Sequence, residues 1–206
     1  MKNTTLVVST LVGFATLGMA SVASGAVAVF NSQLTWDAYV ASNGATVATE
    51  TFDSFSGYQP SATGTAGGTT WTANASIGQI TFQVLGTQTV VSTALGGRTL
   101  NFTFAPGVQG IGGEMFGTNA AFAVVPAAIT VTLADGTSYV SDQTSASDFV
   151  GFYSNGAAIS SISVSTSTEG TYATVGNLYF ATVPAPGALV LLATAGCVSG
   201  RTRRRA

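Results

Sequence analysis

Ile129-Thr130-Val131-Thr132-Leu133-Ala134-Asp135-Gly136-Thr137-Ser138-Tyr139-Val140 decides the fold. Ile129, Val131 and Leu133 alternate with Thr130 and Thr132, the period of a strand with one face buried. Asp135-Gly136 supplies the tight turn of a β-hairpin and leads into a second strand over Thr137–Val140. The same alternation recurs outward from this hairpin. Leu100, Phe102 and Phe104 alternate with Thr99, Asn101 and Thr103. Further strands are predicted over Val27–Phe30, Thr46–Phe52, Thr69–Ala73, Gln79–Val84, Thr87–Ser92, Phe149–Tyr153, Ser160–Ser165 and Tyr172–Ala181. Short strands separated by Gly, Ser, Asn and Asp turns, with strong helix formers sparse, predict an all-β, antiparallel, jelly-roll-like β-sandwich.

One helix interrupts this order. Asn31 or Ser32 is placed to cap its free N–H groups. Trp36, Tyr39 and Val40 share one face, and Asn43-Gly44 ends it. Gly110-Ile111-Gly112-Gly113 lies in strand-like sequence, where glycine marks a bulge or close packing rather than a phosphate loop. Ser54–Gly68, rich in Gly, Ser and Thr, is expected to be a mobile loop.

Both ends of the 206-residue chain differ from its middle. Lys2, the apolar run Leu6–Met19 and the small residues that follow have the pattern of a secretory signal peptide, expected over residues 1–26. Residues 183–206 hold a Pro/Gly break, an apolar segment from Ala188 to Val198 expected as a helix, and a terminal arginine cluster. The β-sandwich domain is expected over residues 27–182. Between Val27 and Thr182 Arg98 is the only base, against all eight acids of the chain, for a net charge of −7. Such a surface repels phosphate backbones, which excludes nucleic acid as a partner. Lys2 and the arginine cluster both favour the cytoplasmic side of a membrane, leaving the sandwich outside. The apolar run is short for a bilayer span of ~20 residues, which suits a transient anchor.

The chain has no histidine, and its one cysteine, Cys197, lies in the tail. Ser-His-Asp and Cys-His catalysis and ordinary zinc sites are therefore excluded from the sandwich. Glu50, Asp53, Glu114 and Glu169 remain as candidates for a paired-carboxylate glycan hydrolase, the alternative to a non-catalytic role. Glu50, Asp53 and Asn177 are candidate calcium ligands, because hard oxygen donors near strand ends suit that ion. Tyr58, Trp71, Tyr153 and Tyr172, near expected loops with polar neighbours, are candidate ligand-binding aromatics for sugar. Thr63-x-Thr65 and Thr70-x-Thr72 form short threonine ladders, which the strand propensity of threonine explains.

Val183-Pro184-Ala185-Pro186-Gly187, the apolar run and Arg203-Arg204-Arg205 together resemble the PEP-CTERM sorting signal of bacterial envelope proteins, also labelled an ice-binding protein C-terminal domain. Ala185 stands where that motif usually has Glu. The resemblance implies recognition by an exosortase-like membrane protease, transient membrane anchoring, and export to the cell envelope or extracellular matrix. The body is similar to domains that precede such tails. Val29-Phe30-Asn31-Ser32 with Trp36, and Glu50-Thr51-Phe52-Asp53-Ser54-Phe55, match their opening. Leu100–Phe104, Phe149-Val150-Gly151-Phe152 and Asn177-Leu178-Tyr179-Phe180 match later strands. Relatives carry Asp before that Asn, where this chain has Gly176, so a calcium ligand supplied there would be missing. The expected function is that of an exported, non-catalytic surface or matrix protein that contacts exopolysaccharide or is purely structural.

Overall fold

The computed structural model describes residues 27–143, 149–166 and 169–184. The signal peptide lies outside the described residues, as do Ala185, Pro186, Gly187, the apolar segment and Arg203, Arg204 and Arg205. In chain order the elements are β1 (Val27–Phe30), α1 (Gln33–Ser42), β2 (Thr46–Glu50), β3 (Gly57–Gln59), β4 (Ser61–Ala66), β5 (Thr69–Ala75), β6 (Ile80–Leu85) and β7 (Gln88–Thr93). They continue with β8 (Leu100–Phe104), β9 (Val108–Asn119), β10 (Val124–Val125), β11 (Ala127–Leu133), β12 (Ser138–Gln143), β13 (Phe149–Ser154), β14 (Ile159–Ser165) and β15 (Thr171–Thr182).

These strands form two antiparallel sheets. The first runs β1-β13-β9-β15-β7-β6-β3, with β10 added on β9 and β2 on β15. The second runs β12-β11-β14-β8-β5-β4. The Asp135-Gly136 hairpin forms as the sequence predicts, pairing Thr132 with Ser138 and Thr130 with Val140. Alternation then decides what is buried. Leu100, Phe102, Ile129, Ile162 and Val164 from the smaller sheet meet Ile80, Phe82, Val91, Ile111, Met115, Val175, Leu178 and Phe180 from the larger one in a single core. The architecture is an antiparallel β-sandwich.

The helix seals the outer face of the larger sheet near β13. Trp36 and Val40 are fully buried against Phe149, Tyr153 and Ala181. Gly112 and Gly151 face each other across β9 and β13, and a Cβ on Gly151 would collide with the Trp36 ring. Gly112, where the sequence predicts a bulge or close packing, and Gly151, where it makes no such prediction, thus make the socket for this indole, whose N–H donates to the Phe152 carbonyl at 3.2 Å.

Three local expectations need correction. Ser32 precedes the helix in extended conformation, but its side chain makes no cap bond; its carbonyl instead accepts from the Trp36 N–H and the Thr35 hydroxyl. At the other end only Gly44 is left-handed, at φ +69°, while Asn43 acts through its side-chain amide, which donates to the Tyr39 carbonyl at 2.8 Å. Ser54–Gly68 is not a loop throughout: it contains β3 and β4, and β4 buries Ala62 and Ala66 in the core. Gly64 permits this, because it lies opposite Trp71 and any side chain there would strike the indole.

Candidate functional site

The outer face of the larger sheet carries a cleft at the end away from the helix. Strand register builds it. Tyr58 pairs with Thr81, Thr81 with Ser92, and Ser92 with Thr174, so β3, β6, β7 and β15 each place one side chain in a single row. Tyr172, two residues before Thr174, pairs with Thr118 on β9 and extends the same face. The resulting cleft, about 180 Å³, is lined by Tyr58, Thr81, Gln83, Ser92, Thr118 and Tyr172 together with Asn119 at the end of β9 and Ala120 and Phe122 of the loop after it.

Its floor is a buried hydroxyl network. Ser92 Oγ lies 2.8 Å from Thr174 Oγ1, and Thr118 Oγ1 lies 3.1 Å from the same atom. Thr174 donates onward to the Tyr172 carbonyl at 3.3 Å. Each hydroxyl has one proton to give, so the network consistently runs from Thr118 through Thr174 to the strand backbone. Thr93, the next residue of β7, pairs with the core residue Ile80 and so belongs to the inner face, where its buried hydroxyl has no hydrogen-bond partner. The walls are aromatic: Tyr58 is 70% exposed, Phe122 is 52% exposed and Tyr172 is half-buried.

Phe122 owes its position to the loop between β9 and β10. Asn119 Oδ1 accepts the N–H groups of Ala121 and Ala123 at 2.9 and 3.0 Å, and the Asn119 carbonyl accepts from the Phe122 N–H at 2.9 Å. This tight turn holds Phe122 at φ +60°, a left-handed conformation unfavourable for a side chain of its size. A strained, exposed aromatic beside a cleft is the pattern expected of a binding position rather than a packing one.

Of the four aromatics predicted to bind ligand, Tyr58 and Tyr172, 114 positions apart, come together here. The other two are corrected. Trp71 is fully buried in the core against Phe52, Phe55 and Phe102. Tyr153 is buried beneath the helix against Tyr39, and that burial, with the nearby Tyr39, raises its pKa above the ordinary tyrosine value. Residue type and loop proximity could not separate Trp71 and Tyr153 from Tyr58 and Tyr172. Phe122 escaped the sequence reading altogether. Its signal was Asn119 placed to bridge a short turn through its side chain, with an aromatic at the tip.

The acidic candidates sit elsewhere. Glu50 Oε2 accepts the Trp71 indole N–H and Oε1 accepts the Phe52 N–H, both at 2.9 Å, so both carboxylate oxygens hold the core wall. Glu114 Oε2 accepts the Asn177 backbone N–H at 2.9 Å and the Gln88 amide at 3.0 Å, tying β9 and β7 to the bulge in β15 between Val175 and Leu178. Any side chain on Gly176 would displace that Gln88 amide. Asp53 and Asn177 do share a shallow depression of about 330 Å³ with Thr51, Thr87, Gln88 and Thr89, whereas Glu50 is not among its lining residues. Hydroxyls of Thr51 and Thr89, each donating at 2.8 Å, hold the Asp53 carboxyl below the ordinary aspartate value, the wrong direction for a general acid. Glu169 lies exposed in the turn before β15. Among the described residues no three Asp, Glu, His or Cys side chains gather as a metal-holding group.

The threonine ladders lie on the opposite side of the molecule. Thr63 pairs with Thr72, their hydroxyls 3.0 Å apart, and the row continues through Thr103 and Ser161 to Thr132 and Ser138. This is the solvent face of the smaller sheet.

No family model matches the chain, and no curated protein matches it. One solved structure, the carbohydrate-binding module TmCBM61 in complex with β-1,4-galactotriose, is similar to it with a TM-score of 0.29 and 11% identity, covering 55% of this chain and 84% of that one. A likeness of that degree bears on neither the site nor its ligand.

Proposed function

We propose that the chain is an exported, non-catalytic surface or matrix protein whose sandwich holds polysaccharide in the cleft of Tyr58, Phe122 and Tyr172. One observation carries this reading: exposed aromatic rings surround a floor of hydroxyls. Aromatic faces take the C–H face of a sugar ring, while hydroxyls and amides take its polar rim. The cleft's lining includes no carboxylate, so the paired-carboxylate hydrolase has no machinery there. Consecutive strands β13, β14 and β15 alternate between sheets, which supports a jelly-roll-like reading of the sandwich.

A glycan array probed with the protein, with and without calcium, tests this reading. Binding without turnover, abolished by Tyr58→Ala, is expected; turnover lost on Glu50→Gln or Glu114→Gln would support the hydrolase instead. Export through the PEP-CTERM-like tail and an exosortase-like protease is part of the same proposal, supported by the motif residues alone. Mass spectrometry of surface-released protein is expected to find an end near Pro186, and an intact Arg205 on that form would refute processing.

A further inference from the structure

Resting on the reading of the cleft as a glycan site, we infer that its ligand is an uncharged polysaccharide, gripped along the chain at two separate rings. The first half of the inference comes from the donor set. The side chains lining the cleft are Tyr, Thr, Ser, Gln, Asn, Ala and Phe, with no Lys or Arg among them, and the chain has no histidine. A uronate or sulfated ring placed against this wall would lose solvation with no cation to meet it. The long-range field acts in the same direction, since the sandwich carries a net charge of −7. The buried floor is suited to hydroxyl partners: Ser92 and Thr118 converge on Thr174.

The second half comes from the register. Tyr58 stands on β3 and Tyr172 on β15, three places along the sheet order. At ~4.8 Å per strand that separation is roughly 14 Å. One pyranose ring cannot touch both walls, so the two tyrosines stack on different rings of one chain crossing the strands. Phe122, on the loop that follows β9, stands on the Tyr172 side, because β9 pairs with β15.

Isothermal titration of the full chain with three probes tests this: a neutral hexose homopolymer fragment of four to six rings, its monosaccharide, and a uronate oligomer of equal length, each at low and high salt. The expected result is binding of the neutral oligomer at least tenfold tighter than both the monosaccharide and the uronate, with little dependence on salt. Tyr58→Ala and Tyr172→Ala are each expected to weaken the oligomer at least fivefold while leaving the thermal midpoint unchanged. Preferential, salt-sensitive binding of the uronate that is still lost on Tyr58→Ala would overturn the inference and leave the cleft reading standing. Monosaccharide binding as tight as oligomer binding would overturn the two-ring grip alone. If a panel of neutral hexose oligomers and the uronate all fail to bind, the cleft reading falls and this inference with it.

Discussion

The Trp71 indole N–H reaches Glu50 Oε2 at 2.9 Å, and the other oxygen of the same carboxylate takes the Phe52 N–H. Glu50 thereby serves two donors at the wall of the main core. One of them belongs to Phe52, a fully buried residue held at φ +60°. Glu50→Ala is expected to leave both donors unsatisfied and to cost about 3 kcal/mol, read as a lowered urea midpoint at constant slope. Glu50→Gln keeps an acceptor and is expected to cost less. A loss below about 0.5 kcal/mol for the alanine variant would show that Glu50 does not support this wall.

Trp36 and Gly151 make a second pair whose substitutions have the same outcome for opposite reasons. Trp36→Ala removes a fully buried side chain and is expected to cost about 3–5 kcal/mol. Gly151→Val fills the socket and is expected to cost about 1–3 kcal/mol through overpacking. Limited proteolysis should then cut within Gln33–Ser42 in both variants, leaving the sandwich fragment intact. Equal resistance in wild type and both variants would refute the helix's dependence on this socket.

Phe122 separates binding from stability. Phe122→Gly relieves a left-handed aromatic while deleting the ring, so the thermal midpoint is expected to hold or rise as glycan affinity falls at least fivefold. Asn119→Ala removes the acceptor for two loop N–H groups and is expected to weaken binding with the Phe122 ring still present. A Phe122→Gly protein that loses stability would mean that the ring packs rather than presents itself.

The pH dependence has a fixed sign. Burial raises the phenol pKa of Tyr153 and Tyr179 above the unfolded value of about 10, with Tyr39 adding to Tyr153 and Glu114 adding to Tyr179. The fold thus favours the neutral phenols. Their contribution is complete below pH ~10 and is lost as pH rises through the higher folded values. Ultraviolet titration of tyrosinate should show a late-titrating class, and thermal midpoints should fall over the same interval. Tyrosines that all titrate together near their ordinary value would contradict the burial of these two rings.

Much of the fold was legible because alternation and burial are two statements of one geometry. Ile129, Leu133, Leu100 and Phe102 all face the core as their spacing requires. Ser54–Gly68 was not legible, because the inward residues of β4 are only Ala62 and Ala66, and Gly64 between them is small to admit Trp71. The site was half legible. Tyr58, Trp71, Tyr153 and Tyr172 are alike in type, and only the facing layer decides exposure: the larger sheet covers Trp71, the helix covers Tyr153, and neither the helix nor the smaller sheet covers Tyr58. Of Glu50, Asp53 and Asn177, the last two share a depression, while Glu50 turns its carboxylate to the core instead of joining them, which residue type near a strand end could not reveal.

The central claim is that the Tyr58–Phe122–Tyr172 cleft is where this protein meets glycan. Heteronuclear NMR of the full chain titrated with a bound neutral oligosaccharide tests it most directly. Shifts confined to Tyr58, Thr81, Asn119–Phe122 and Tyr172 are the predicted result. Shifts centred on Thr63, Thr72 and Thr103 across the opposite sheet, or on the helix over β13, would contradict it.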